Sequence, residues 1–259
     1  MIINVFSSII CYFLPVMLLR RVLNLPAAAA FPRRRLPPGE MLPLAGIVLG
    51  SSAIGSTVSL ILCALLSLVR LSPSAPQLSV PDSLASFLLL VLTAAVLPAL
   101  FEELLFRGVV LQSLRRFGDL FALSVTSILF SLLHRNLVQI PNALITGTVL
   151  GYIVLRTGSL QAAIFCHFIN NLLPILLQTF GSYLPESALN LLFLLLNFLY
   201  ILLGLGGLIY LLSAHGGFFA PVYREGKKSE RYKYRSFFSS LPILAVIISL
   251  SISVLINML

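Results

Sequence analysis

The chain has 259 residues, of which 59% are hydrophobic and only 10% are charged, whereas a soluble domain carries about a quarter charged residues. This composition excludes a soluble protein and predicts an all-α, polytopic membrane protein. The formal net charge of +9 could suggest a nucleic-acid partner, but the basic residues stand in short loops between apolar runs, where they set orientation and attract anionic lipid. The lipid bilayer is therefore the expected partner, and nucleic acid is not.

Apolar runs recur along the whole length, and each is close to the 20 or so residues that cross about 30 Å of hydrocarbon. We therefore expect residues 1–259 to form a single integral membrane domain with about eight transmembrane helices. The third run is too long for a simple crossing. It contains Pro98, which removes a backbone hydrogen bond and clashes with the preceding turn, so we predict a kinked long third helix. The predicted spans are Ile2–Leu19, Leu42–Val69, Ser83–Leu114, Leu120–Leu133, Ile140–Leu155, Leu160–Phe180, Ser187–Leu212 and Phe238–Met258.

Arginine and lysine are unevenly distributed between alternate loops, which predicts the orientation under the positive-inside rule. With the N-terminus outside, the outer loops hold only Arg70 and Arg135, and Arg107 lies within the third run. The inner loops then hold fourteen basic residues: Arg20, Arg21, Arg33, Arg34, Arg35, Arg115, Arg116, Arg156, Arg224, Lys227, Lys228, Arg231, Lys233 and Arg235. The segment Ala214–Ser236 is accordingly predicted to be a cytoplasmic loop.

The third run contains the motif Glu102-Glu103-Leu104-Leu105-Phe106-Arg107. Ionisable groups at membrane depth cost about 2.5–3.5 kcal/mol each on insertion scales, so each needs a partner or a purpose. Glu103 and Arg107 are four residues apart and share one helical face, whereas Glu102 points about 100° away. Glu103 can therefore neutralise Arg107, which leaves Glu102 as a candidate general base.

Two further motifs follow within 70 residues. Phe130 and His134 are four residues apart, and so are His167 and Asn171, so each pair shares a helical face. A single membrane histidine is more often an interhelical hydrogen-bond partner than a catalyst. Three such motifs close together favour a catalytic site instead.

These residues resemble the CAAX-protease and bacteriocin-processing family, which includes the type II CAAX prenyl endopeptidases. The resemblance consists of EExxxR at Glu102–Arg107, FxxxH at Phe130–His134 and HxxxN at His167–Asn171, in the family's order. It covers residues 84–178, which we take as the catalytic core. Further residues that look like the family are Gly108, Gly147, Gly151 and the turn Thr157-Gly158-Ser159-Leu160.

The resemblance implies an intramembrane endopeptidase that uses a glutamate-activated water. Carried over by position, Glu102 and His134 would orient and deprotonate the water, while His167 and Asn171 would stabilise the oxyanion. Glu103, Arg107 and Phe130 would support the site structurally. No cofactor or metal is expected, and the implied partner is a membrane-associated or lipidated protein or peptide in a bacterial plasma membrane.

Three alternatives remain at this point. Two histidines and a glutamate could bind catalytic zinc, although no second carboxylate would then be free to act as base. Membrane Glu, His and Asn also build ion relays in transporters, but the chain shows no inverted repeat. An immunity protein that keeps the fold without proteolysis is the third alternative.

Overall fold

The structure is a computed structural model that describes residues 10, 13–71, 73, 80–214, 217–218 and 226–256. Within these ranges the chain is helical without β-strands, apart from one isolated antiparallel bridge between Arg33 and Ser159. The predicted all-α fold class is confirmed. Besides a single turn at Ala27–Ala30, the helices are α1 Leu14–Val22, α2 Pro38–Ser67, α3 Leu84–Phe117, α4 Asp119–Leu133, α5 Ile140–Thr157, α6 Leu160–Gly181, α7 Glu186–Ala214, α8 Glu230–Phe238 and α9 Leu241–Ile256.

In the part of the chain that is described, four helices are long and apolar enough to cross a membrane, namely α2, α3, α6 and α7. The bent pair α8 and α9, which meet at 68°, would add a fifth. A polytopic membrane protein is therefore borne out, but the predicted number of eight spans is not.

Three predicted spans account for the difference between the eight that were predicted and the five, counting the bent pair, that are long and apolar enough in the described ranges. α4 has only 15 residues, fewer than the 20 or so of a full crossing. α5 has 18 residues, but Asn142 near its start and Arg156 near its end make it less apolar than a typical span. The first predicted span, Ile2–Leu19, lies largely outside the described residues, as does most of Ser72–Asp82, the loop between the second and third predicted spans that is expected outside the membrane.

α3 is irregular on both sides of the glutamates. The segments Leu92–Val96 and Leu104–Val110 are π-helical, and the short α-helical piece Leu97–Glu103 lies between them. The N–H of Leu97 donates to the carbonyl of Leu92, five residues earlier. This wider turn directly precedes Pro98, whose ring would otherwise clash with the carbonyl four residues before it. The predicted distortion of the third helix is thus present as π-helical turns, which occur frequently at functional sites.

Glycines allow α2 and α7 to approach until their backbones touch. A Cβ on Gly204 would lie 2.9 Å from the Cα of Gly50, and one on Gly207 would lie 2.4 Å from the carbonyl oxygen of Pro43. Membrane helices associate through such small residues because lipid provides no hydrophobic force between them. α2 also packs against α5 and α6, so it connects the helices around the candidate site.

Part of the predicted loop Ala214–Ser236 is in fact the helix α8. Ser229 caps it by accepting from the N–H of Tyr232 at 3.4 Å. Glu230 lies in its first turn and Arg235 in its last, where an acidic and a basic side chain respectively are favourable to the helix dipole. Lys233 is buried, pairs with Glu230, and donates to the carbonyl of Phe117 at 2.8 Å. The basic segment therefore contacts the end of α3.

We expect Gly207→Ala to lower the melting temperature of the purified protein, because the new methyl group overlaps the Pro43 carbonyl and overpacking costs about 1–3 kcal/mol. Gly206→Ala is the matched control, since its Cβ would meet nothing within 4 Å. It should leave the melting temperature unchanged or raise it slightly. Equal melting of the two variants would contradict the close packing of α2 on α7.

The arginine and lysine distribution predicts the side of the membrane that each loop occupies. In a background without the native cysteines, Lys227→Cys should react only with reagent applied from the cytoplasmic side, and Val80→Cys only from outside. Both positions are exposed, so a cysteine that fails to react with reagent from one side lies on the other side of the membrane. Labelling of Lys227→Cys from outside would overturn the predicted orientation.

Candidate active site

One carboxylate oxygen joins two helices at the centre of the site. Oε1 of Glu103 accepts from Nη1 of Arg107 at 2.6 Å and lies 2.8 Å from Nδ1 of His167 on α6. Glu103 and Arg107 are 0% exposed and His167 is 5% exposed. The predicted pairing of Glu103 with Arg107 is present, and the contact of Glu103 with His167 was not predicted.

Arg107 reaches a third helix. Its Nη2 donates to the carbonyl of Gly147 on α5 at 3.0 Å, and its guanidinium lies 4.2 Å from the ring centroid of Phe130. A Cβ at position 147 would lie 2.9 Å from the Phe130 ring and 3.3 Å from Nη2. Glycine is therefore needed here for the guanidinium and the ring to pack together. This role of Gly147 was not predicted, although the residue belongs to the family resemblance.

Phe130 contacts both histidines. Its ring centroid lies 5.1 Å from that of His134 and 5.9 Å from that of His167, each in an edge-to-face arrangement. It packs in the same way on Phe106 at 5.3 Å. Edge-to-face aromatic pairs are favourable, so Phe130 sets the positions of the two imidazoles relative to each other.

The histidine nitrogens can be assigned from their partners. Nδ1 of His134 lies 3.1 Å from the carbonyl oxygen of Phe130, and a carbonyl can only accept, so Nδ1 carries the proton. Nδ1 of His167 likewise donates to the carboxylate of Glu103. In the neutral form of either ring, Nε2 then has a free lone pair.

Glu102 and Asn171 occupy the same helices but stay outside this network. Glu102 is 8% exposed, and no hydrogen bond or ion pair joins it to a residue that the structure describes. Asn171 is half-buried, one turn after His167 on α6. Five of the seven predicted site residues are connected by the contacts of Phe130 and Glu103. The other two, Glu102 and Asn171, lie close to them along α3 and α6.

The described residues do not suit a catalytic zinc. Within the ranges given above, no three His, Cys, Asp or Glu side chains are grouped so that they could hold one metal ion. Glu103, the carboxylate nearest to a histidine, is already shared by Arg107 and His167. The zinc alternative would need Glu102, His134 and His167 to gather around a single point.

Fold and site together define an integral membrane protein with a buried carboxylate, arginine and histidine cluster between its helices. Residues 84–173, about a third of the chain, match the family described as type II CAAX prenyl endopeptidase Rce1-like. The match confirms the resemblance found in the sequence and indicates a protease, a hydrolase of the CAAX type. No curated protein and no solved structure matches the chain.

Proposed function

We propose that this chain is an intramembrane endopeptidase in which Glu102 activates a water molecule to hydrolyse a peptide bond. The observation that carries the proposal is the difference between two adjacent carboxylates. Glu103 is fully buried and shared by Arg107 and His167, whereas Glu102 is next to it without a partner in the described residues. Of the two carboxylates, Glu102 is therefore the one that is not already engaged by Arg107 and His167, and we propose it as the base.

In the proposed first step, Nε2 of His134 accepts a hydrogen bond from the water and orients it. Glu102 takes the other proton while the water oxygen attacks the carbonyl carbon of the substrate. General-base assistance of this kind contributes about 10²- to 10⁴-fold in rate. Protonated Glu102 then returns the proton to the leaving amine, so that the peptide C–N bond breaks and one water is consumed.

His167 and Asn171 are the proposed oxyanion donors. The side-chain amide of Asn171 donates in its ordinary form. His167 already gives its Nδ1 proton to Glu103, so it donates from Nε2 only as an imidazolium. Preorganised oxyanion donors contribute about 2.7–4 kcal/mol each.

The proposed substrate is a membrane-associated or lipidated protein or peptide, and the proposed location is a bacterial plasma membrane. Two observations support a substrate that lies in the bilayer. Glu102, His167 and Asn171 belong to helices α3 and α6, both of which are long and apolar enough to span a membrane, and the matched family takes its name from CAAX prenyl proteins. We further propose residues 84–178 as the catalytic core within one membrane domain.

We expect Glu102→Gln to abolish proteolysis while the protein accumulates normally, because the amide keeps the shape but cannot accept a proton. Membranes from cells with the wild-type chain should contain new peptide termini that are absent with this variant. The expected loss of turnover is about 10²-fold or more.

Glu103→Gln is the matched comparison, since it makes the same chemical change one residue away. It leaves Arg107 charged and unpaired in a buried site, which costs about 3–5 kcal/mol, so protein level should fall together with activity. Arg107→Met added to Glu103→Gln should restore much of the protein level. If Glu102→Gln cleaved a substrate identified from the new peptide termini at the normal rate, the base would be another residue.

We also expect activity to survive removal of divalent metals, because the proposed nucleophile is activated by Glu102 and not by a zinc-bound hydroxide. Chelation alone is a weak test, since buried zinc resists chelators. The purified protein should therefore be assayed after elemental analysis. One zinc per chain, whose removal stops activity and whose return restores it, would make Glu102, His134 and His167 ligands and end the glutamate mechanism.

A further inference from the structure

A second site candidate lies at the end of the helix bundle where α2 begins and where α5 and α7 end. It is a cavity of about 390 Å³. Its polar lining includes Arg34, Glu40 and Arg156, and its apolar lining includes Leu36, Leu44, Leu211 and Phe218. None of these residues belongs to the candidate active site.

Backbone contacts hold the two arginines beside each other. The N–H of Arg34 donates to the carbonyl of Gly158 at 3.1 Å, and the N–H of Leu160 donates to the carbonyl of Pro32 at 3.0 Å. Gly158 ends α5 with φ +66°, a left-handed conformation that glycine adopts without strain. The loop before α2 is thus joined to the end of α5, next to Arg156.

The lining carries a positive charge that suits one phosphate. Two arginines and one glutamate among its residues give a net charge of +1. Arg156 donates through Nη2 to the carbonyl of Gly217, while its Nε is buried without a partner among the described residues. A buried N–H without an acceptor is costly, and a phosphate oxygen is an acceptor that arginine binds well.

The apolar half of the cavity favours a lipid over a small anion. Leu36 and Phe218 line the cavity and are only partly buried, so they offer apolar surface that inorganic phosphate would not use. The cavity also lies at the ends of helices α2, α5 and α7, on the side that the distribution of basic residues predicts to be cytoplasmic. That leaflet is commonly rich in anionic lipid.

We propose that this cavity binds an anionic phospholipid, with the headgroup phosphate between Arg34 and Arg156 and an acyl chain along Leu36 and Phe218. The lipid would join the ends of α2, α5 and α7. Because α5 also carries Gly147, the acceptor of Arg107, the bound lipid would stabilise the helix that supports the active site.

The test is native mass spectrometry of the full chain in detergent with added phosphatidylglycerol or phosphatidylcholine. One phosphatidylglycerol should bind the wild type in preference to phosphatidylcholine. Arg34→Gln should weaken this binding about tenfold, as expected for the loss of one charged hydrogen bond, and Arg156→Gln should do the same. Arg34 contacts its neighbours through the backbone, so its variant should fold even if the Arg156 variant does not.

Two further variants separate the cavity from general surface charge. Arg35→Gln is the matched control, because Arg35 is exposed in the same loop but does not line the cavity; it should bind phosphatidylglycerol like the wild type. Leu36→Trp fills the cavity without changing charge and should abolish binding. Equal losses in the Arg35 and Arg34 variants, equal binding of phosphatidylcholine, or displacement of phosphatidylglycerol by inorganic phosphate would each overturn the proposal.

Discussion

The structure of the site depends on one buried carboxylate. Glu103 holds Arg107 on its own helix and His167 on α6 through the same oxygen, and Arg107 in turn reaches Gly147 on α5. A buried charge is stable only when it is paired and hydrogen-bonded, so these three helices must stay in register for the charges to be compensated. The packing of membrane helices alone would not require such a register, because lipid-facing apolar surfaces can slide with little cost.

Helix distortion and small residues make that arrangement possible. The π-helical turns on both sides of Leu97–Glu103 place the glutamates on a short α-helical piece. Gly147 leaves room for the guanidinium against the Phe130 ring. Since Phe130 also contacts both imidazoles, the position of the charged group and the positions of the candidate catalytic groups are coupled through one aromatic side chain.

Local spacing in the sequence predicted the contacts within a helix, and it could not predict those between helices. The i, i+4 rule correctly paired Glu103 with Arg107 and stacked Phe130 beside His134. The bond from His167 to Glu103 joins residues 64 positions apart, and no periodicity encodes it. The predicted number of eight spans is not confirmed for a related reason. Apolar composition alone does not separate a full crossing from the 15-residue helix α4, whose apolar faces pack against neighbouring helices instead.

Charge balance connects the proposed roles of the two glutamates. In the proposed step, Glu102 and Glu103 act as carboxylates and His167 as an imidazolium, so that with Arg107 the charges of the cluster sum to zero. When Glu102 takes the proton of the attacking water, its negative charge disappears and the oxyanion gains one. The net charge of the cluster therefore stays the same during the step. In this proposed step the negative charge moves from Glu102 towards His167, whose ring is already hydrogen-bonded to Glu103, so the proposed donor needs no rearrangement as the charge arrives.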